Sequence, residues 1–353
     1  MSDTKRPGWG SVLLLLACAF VALTGCSGCR SNSAKKLSGS GSTFIKPVMD
    51  KWTDVYGTEK GEIDINYQGQ GSTAGIKQMT EKAVNFGCTD AFMTAEQLET
   101  ARKAGGEVLH IPLVMGGVVP AYNLPGVDKP LNFTGAVLAD IFHGDITNWN
   151  DPKIQADNKD VKLPDLKISV VHRAEGSGTT AIFTEFLSTV SPKWKDKVGT
   201  TIKWPVGSGE KGNPAVADNV SRSAGSIGYV ELLYALQKKD AIKYGAVQNK
   251  AGKFILADLA SVRAAAASLK KVPDDLSISL VKEYDGADAY PICGTTWAVL
   301  YQNQSGDAGH ELVKFLTWAI HDGQKYAEQM QYAPLPEKLV QRIDEKLKTI
   351  KAP

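Results

Sequence analysis

The stretch His172-Arg173-Ala174-Glu175-Gly176-Ser177-Gly178-Thr179-Thr180 limits what this chain can fold into more than any other. The apolar run Ile168-Ser169-Val170-Val171 leads into it as a buried strand would. Behind it, Ile182, Phe183, Phe186, Leu187 and Val190 recur at helical spacing. A strand therefore ends, two glycines relax the backbone, and small hydroxyl residues open a helix. Such a junction aims unpaired backbone N–H groups and the positive end of a helix dipole at one point. An anion suits that point, and Arg173 adds a fixed positive charge beside it. The same nine residues equally describe an ordinary strand–turn–helix connection with Ser177 or Thr179 as N-cap.

Two further clusters share this character. Ser38-Gly39-Ser40-Gly41-Ser42-Thr43-Phe44 precedes a helix whose apolar face is Phe44, Val48, Trp52 and Tyr56. Pro47 suits the first turn of that helix, where its missing N–H matters least. Gly69-Gln70-Gly71-Ser72-Thr73 precedes a helix marked by Ile76 and Met79 in the same manner. Three clusters at helix entrances, none beside a lysine cluster, describe a pocket of neutral N–H and O–H donors. That chemistry suits a small oxyanion that is stripped of water and later released. Gly207-Ser208-Gly209-Glu210-Lys211-Gly212-Asn213 comes closest to a P-loop, but its glycines do not end in Lys-Ser or Lys-Thr, and it reads as a loop.

Elsewhere, Ile63, Ile65 and Tyr67 alternate as a strand should, and Val84 to Cys88 reads as a short strand. A helix is expected near Ala95 to Ala104, followed by an apolar segment from Val108 to Ala121. This alternation favours an α/β architecture. A chain of 353 residues is long enough for two domains. A net charge of +2 is too small to argue for nucleic acid or an electrostatic membrane surface.

The N-terminus reads as an export signal over residues 1–25: Lys5 and Arg6 form a positive region, and Val12 to Leu23 an apolar one. Leu23-Thr24-Gly25-Cys26 resembles the bacterial lipobox, which implies cleavage before Cys26 and lipid on its sulfur. The acyl chains would hold the protein at a membrane without spanning it. Residues 26–36, rich in Ser, Asn and Lys, read as a flexible tether. Of the five cysteines, Cys18 leaves with the signal and Cys29 sits in the tether. Cys88 and Cys293 belong to the folded body, where an exported compartment permits a disulfide and two buried thiols are the alternative.

From about Leu37 to about residue 345 the chain resembles the PstS family, the substrate-binding lipoproteins of bacterial phosphate ABC transporters. The resemblance rests on Gly-Ser-Thr-Phe at 41–44, Tyr-Gln-Gly-Gln-Gly-Ser at 67–72 and Phe-Gly-Cys-Thr-Asp at 86–90. It continues through Ile-Pro-Leu-Val-Met-Gly-Gly-Val-Val at 111–119 and Ile-Phe-His-Gly-Asp-Ile-Thr-Asn-Trp-Asn-Asp at 141–151. Arg-Ala-Glu-Gly-Ser-Gly-Thr at 173–179, Lys-Trp-Pro-Val-Gly at 203–207 and Gly-Ser-Ile-Gly-Tyr-Val-Glu at 225–231 follow, and Tyr-Ala-Pro-Leu-Pro closes it at 332–336.

The resemblance implies an α/β periplasmic-binding-protein fold of the type II kind, two lobes joined by a two-strand hinge with the ligand in the cleft. Lobe I would comprise 37–119 and 292–353, and lobe II 120–291, with crossings near Val118-Val119-Pro120 and Tyr290-Pro291-Ile292. It further implies phosphate binding by Thr43, Phe44, Ser72 and Asp90 from one lobe and by Arg173, Ser177, Gly178 and Thr179 from the other. Asp90 would accept the proton that phosphate retains near neutral pH and sulfate lacks. Glu175 stands where the family usually has Asp, as the acid that positions the arginine, and its longer side chain puts affinity in question. The resemblance also brings Cys88 and Cys293 onto one sheet, so their sulfurs are expected to be close.

The implied partners are inorganic phosphate, the permease and ATPase subunits of an importer, and a membrane reached through the lipid. The protein is expected to be a periplasmic, lipid-anchored monomer with no cofactor, no metal and no enzymatic activity. Rival readings are a receptor for arsenate, sulfate or molybdate, and a phosphate-handling enzyme. For catalysis, His172 and Ser177 would be base and nucleophile, yet no Gly-x-Ser-x-Gly elbow exists. Asp140, His143 and Asp145 match no metal-ligand spacing.

Overall fold

The computed structural model describes residues 35–60, 63–269, 272–284 and 286–352. The signal region, Cys26, Cys29 and residues 26–34 of the tether lie outside the described residues. The chain is already strand at Lys35 and Lys36, two residues that the sequence reading gave to the tether.

Twelve strands lie among the described residues: β1 (Lys35–Gly41), β2 (Ile63–Gly69), β3 (Phe86–Thr89), β4 (Val108–Tyr122), β5 (Asn132–Phe133) and β6 (Ser169–Arg173), then β7 (Ser208–Glu210), β8 (Ser226–Glu231), β9 (Lys243–Tyr244), β10 (Ala246–Gln248), β11 (Phe254–Ile255) and β12 (Cys293–Tyr301). In β2 the apolar Ile63, Ile65 and Tyr67 point inward, and the polar residues between them outward. β12 is buried at every position, as expected of a strand covered on both faces.

Nine strands join in one sheet of order β2-β1-β3-β12-β4-β8-β6-β7, with β9 also on β4. β1, β2 and β3 run parallel, as do β8, β6 and β7. β4 belongs to both groups: its residues from Val108 to Gly117 pair with β12, and those from Val118 to Tyr122 pair with β8. The fold is thus α/β and two-lobed, with β4 crossing from one lobe to the other. The return crossing lies alongside it, where Val118 N–H donates to Ile292 O at 2.8 Å and the Tyr290 hydroxyl donates to Val118 O at 2.8 Å. Strands β11, β10 and β5 form a small separate sheet.

Two expectations fail here. The segment around Gly207 to Asn213 is not a loop: β7 pairs in parallel with β6, and a helix, Gly212–Arg222, follows at once. A three-residue strand has almost no signal of its own and exists because β6 offers it an edge. Pro214 falls in the helix's first turn, where a missing N–H is tolerated. Cys88 and Cys293 are both buried free thiols, and they are not neighbours. Cys88 pairs with Ala298, five residues beyond Cys293 along β12, a separation of about 17 Å in an extended strand.

Candidate functional site

The parallel strands deliver their C-terminal ends to one region, the usual place for a ligand in an open α/β sheet. Thr43 and Phe44 follow β1, Ser72 opens the helix Ser72–Thr80 after β2, and Asp90 follows β3. From the other lobe, Arg173 ends β6, while Ser177 is the N-cap and Gly178 the first residue of the helix Gly178–Val190. Thr43, Phe44, Ser72, Asp90, Arg173, Ser177 and Thr179 are all buried.

The lobes meet through these residues. Gly178 N–H donates to Ser72 Oγ at 3.0 Å, and Asp90 N–H reaches the same oxygen at 3.2 Å. Ser72 in turn donates to Asp90 Oδ2 at 3.4 Å. A Cβ added to Gly178 would lie 2.5 Å from Asp90 Cβ, so only glycine permits this approach. The backbone turns sharply at Gly71, whose φ of +98° lies in the region that glycine favours, and its N–H is held by Gly41 O at 2.8 Å.

Asp90 collects further donors that the sequence reading missed. Ser42 donates to Oδ2 at 2.6 Å and Thr296 donates to Oδ1 at 2.6 Å. A β-bulge interrupts the β12–β4 register between Thr296 and Trp297, opposite Pro112, and such bulges re-aim side chains beside functional sites. Burial pushes the Asp90 carboxyl up to about 6, against the downward pull of Ser42, Thr296, the Arg173 charge and Ser72.

Arg173 is locked from several sides. Its Nε donates to Glu175 Oε1 at 3.0 Å, and its Nη2 makes a short bond to the same oxygen. Nη1 reaches Thr179 Oγ1 at 3.3 Å, and the Arg173 backbone N–H donates to the Tyr229 hydroxyl at 3.1 Å. Gly212 N–H also donates to Glu175 Oε1, at 3.0 Å. The longer acid thus grips the guanidinium by one oxygen and leaves Oε2 buried with no hydrogen-bond partner.

Asn213, assigned to a loop by sequence, is the central bridge between lobes. Its Nδ2 donates to Thr43 Oγ1 at 2.9 Å and to Thr179 Oγ1 at 3.1 Å, and its backbone N–H reaches Thr43 Oγ1 at 3.1 Å. The Tyr234 and Tyr332 hydroxyls hold the carbonyls of Thr43 and Phe44, each at 2.7 Å. Ser177 takes a capping role: its Oγ accepts from Thr180 N–H at 3.1 Å and its N–H donates to Thr200 O at 2.8 Å. Its hydroxyl hydrogen is left to donate.

The rival groupings have different environments. His172 stacks on Trp204 with ring centroids 4.9 Å apart, and its Nδ1 lies 3.1 Å from Arg173 O. Lys193 bridges Asp140 at 3.0 Å and Asp145 at 2.7 Å, while Lys153 lies 2.6 Å from Asp140. Ammonium groups therefore balance those carboxylates. Among the described residues no helix is long and apolar enough to cross a membrane.

Comparison with known proteins agrees with this architecture. A family model described as a PBP superfamily domain matches residues 30–322. The chain is 38% identical to the phosphate-binding protein PstS of Xylella fastidiosa, covering 94% of this chain and 95% of that protein. It is 37% identical to the protein of the same name from Pasteurella multocida, covering 98% and 96%. Among solved structures, a high-affinity periplasmic phosphate-binding protein bound with phosphate superposes with a TM-score of 0.72 at 19% identity, covering 88% of this chain and 93% of that one. Likeness at that identity speaks for the fold, and the closer sequence matches place this chain in the PstS family of phosphate-binding proteins.

Proposed function

We propose that this chain binds inorganic phosphate between its two lobes and passes it to the permease and ATPase subunits of an ABC-type importer, without chemical turnover. The observation that carries the reading is the meeting of Ser72 and Asp90 with Gly178 and Arg173 in one buried cluster. Phosphate would replace Ser72 Oγ as acceptor of the Gly178 N–H, and would also receive the hydroxyls of Thr43, Ser72, Ser177 and Thr179. Phe44 and Thr179 would add backbone N–H groups, and the Arg173 fork would supply charge, with Glu175 fixing its direction. Asp90 would accept the phosphate proton.

In this reading 37–119 and 292–353 form lobe I and 120–291 lobe II, hinged where β4 passes Val118-Val119-Pro120 and the chain returns at Tyr290-Pro291-Ile292. A signal over 1–25 would direct export, and lipid on Cys26 would keep a monomer at the periplasmic face of a membrane, tethered by the residues that follow. Calorimetric titration of the full chain with phosphate and then sulfate tests the reading. Saturable binding of phosphate alone is expected; equal binding of both ions, or of neither, would overturn it.

Closure also gives a steric prediction. Gly178→Ala places a methyl group against Asp90 Cβ, N and Oδ2, all within 2.6 Å. Overpacking of this kind costs about 1–3 kcal/mol. Phosphate affinity is expected to fall roughly ten- to a hundredfold. Unchanged affinity by titration would show that the two segments need not touch when the ligand binds.

A further inference from the structure

We propose that Glu231 is a second proton-carrying group of the binding reaction, a positioning residue that takes up a proton from solvent as the lobes close on phosphate. This rests on the phosphate reading above. Glu231 ends β8 and sits opposite Val118, where β4 passes between lobes. It has no solvent exposure. Its Oε2 accepts from Leu233 N–H at 3.0 Å, capping the short helix Leu232–Leu236, and its Oε1 is buried with no hydrogen-bond partner.

The surroundings of this carboxyl come from both lobes. Its own N–H donates to Asn213 Oδ1 at 3.0 Å, so it orients the side chain that bridges Thr43 and Thr179. Tyr234, three residues on, holds Thr43 O. From lobe I, Tyr332 and Asp90 face it. Tyr332 has committed its hydrogen to Phe44 O. The charged neighbour is therefore another carboxylate, and the titratable ones are tyrosines.

An ionised Glu231 would be a dry charge beside Asp90, held by the Leu233 N–H and a Tyr332 hydroxyl that also serves Phe44 O, which is strongly disfavoured. Burial pushes this carboxyl up to about 8 in the closed arrangement, against the pull of the Leu233 N–H and the Tyr332 hydroxyl and with a smaller upward push from Asp90. Parting the lobes removes Tyr332 and Asp90 and admits water, so the open form ionises nearer the ordinary glutamate value. The sign follows from linkage. The protonated acid favours closure, its full contribution is present below the open-state pKa, and it is lost as pH rises to about 8.

The experiment is phosphate titration calorimetry at pH 7 in buffers of different ionisation enthalpy, comparing wild type with Glu231→Gln. Glutamine keeps the cap on Leu233 and cannot titrate. Wild type is expected to take up close to one more proton per phosphate than Glu231→Gln. The variant is expected to bind at least about tenfold tighter near pH 7, with the two affinities converging below about pH 5. Equal proton counts, or an affinity ratio independent of pH, would overturn the proposal. Failure of wild type to bind phosphate at all would instead sink the preceding reading. Should the glutamine variant not fold, infrared difference spectra of wild type on adding phosphate serve in its place, and absence of a new protonated-carboxyl band overturns the inference.

Discussion

Arg173→Ala is expected to weaken phosphate binding by on the order of a hundredfold or more, the largest effect of any single side chain in the cleft. Arg173 is the cation of the buried cluster, and truncating one partner of a buried charge pair costs about 2–5 kcal/mol. Part of that cost would appear without ligand. Glu175 would keep only the Gly212 N–H on Oε1, with Oε2 already unpaired, so the variant should also melt earlier. Two controls separate the effects. Arg173→Ala combined with Glu175→Gln should recover much of the melting temperature and none of the affinity. Arg173→Lys keeps the charge and loses the fork that spans Glu175 and Thr179, so an intermediate loss of roughly tenfold is expected. Titration of Arg173→Ala at wild-type affinity would mean that the guanidinium serves only to brace β6.

Much of this arrangement was legible in the sequence because it depends on local rules. A strand running into glycine and hydroxyl residues places donors at a helix entrance wherever it occurs, and Ser177 is indeed an N-cap as the bland reading allowed. Ser72, Asp90 and Arg173 come together as the resemblance implied. The residues that escaped depend on pairing between distant segments. Asn213 lies beyond a three-residue strand that exists only because β6 is there, so nothing in Gly207 to Asn213 announced it. Thr296 reaches Asp90 across 206 positions through a bulge that no periodicity reports. Tyr332 and Glu231 fell inside recognised motifs, yet their facing one another follows from lobe packing. The two cysteines show the same limit from the other side. Sharing a sheet was readable, but the register that puts Cys88 opposite Ala298 was not.

Asp90→Asn is the variant for which selectivity, more than affinity, should change. In wild type, Ser42 and Thr296 hold the carboxyl in place while burial raises it to about 6, so at neutral pH it is an ionised acceptor inside a dry site. Phosphate can donate its remaining proton to that acceptor, whereas sulfate can offer only repulsion. An amide removes the repulsion and can turn an N–H toward sulfate. Exchanging a charge-assisted bond for a neutral one costs about 1–2 kcal/mol, so phosphate affinity should drop roughly tenfold while sulfate binding improves. The ratio between them should shrink by about a hundredfold or more. Protonation should mimic the substitution, so wild-type discrimination is expected to narrow as pH falls below about 6. Stability carries an independent signature. The free protein's Asp90 is raised from 3.8, so the stabilisation it confers is complete below that value and is lost as pH climbs to about 6. That loss is on the order of 3 kcal/mol, and Asp90→Asn should abolish this part of the pH dependence in thermal melts. Melting curves with the same pH slope in both proteins would show that the carboxyl is not the strained charge inferred here. A phosphate-to-sulfate ratio untouched by the amide would show that discrimination arises elsewhere in the cleft.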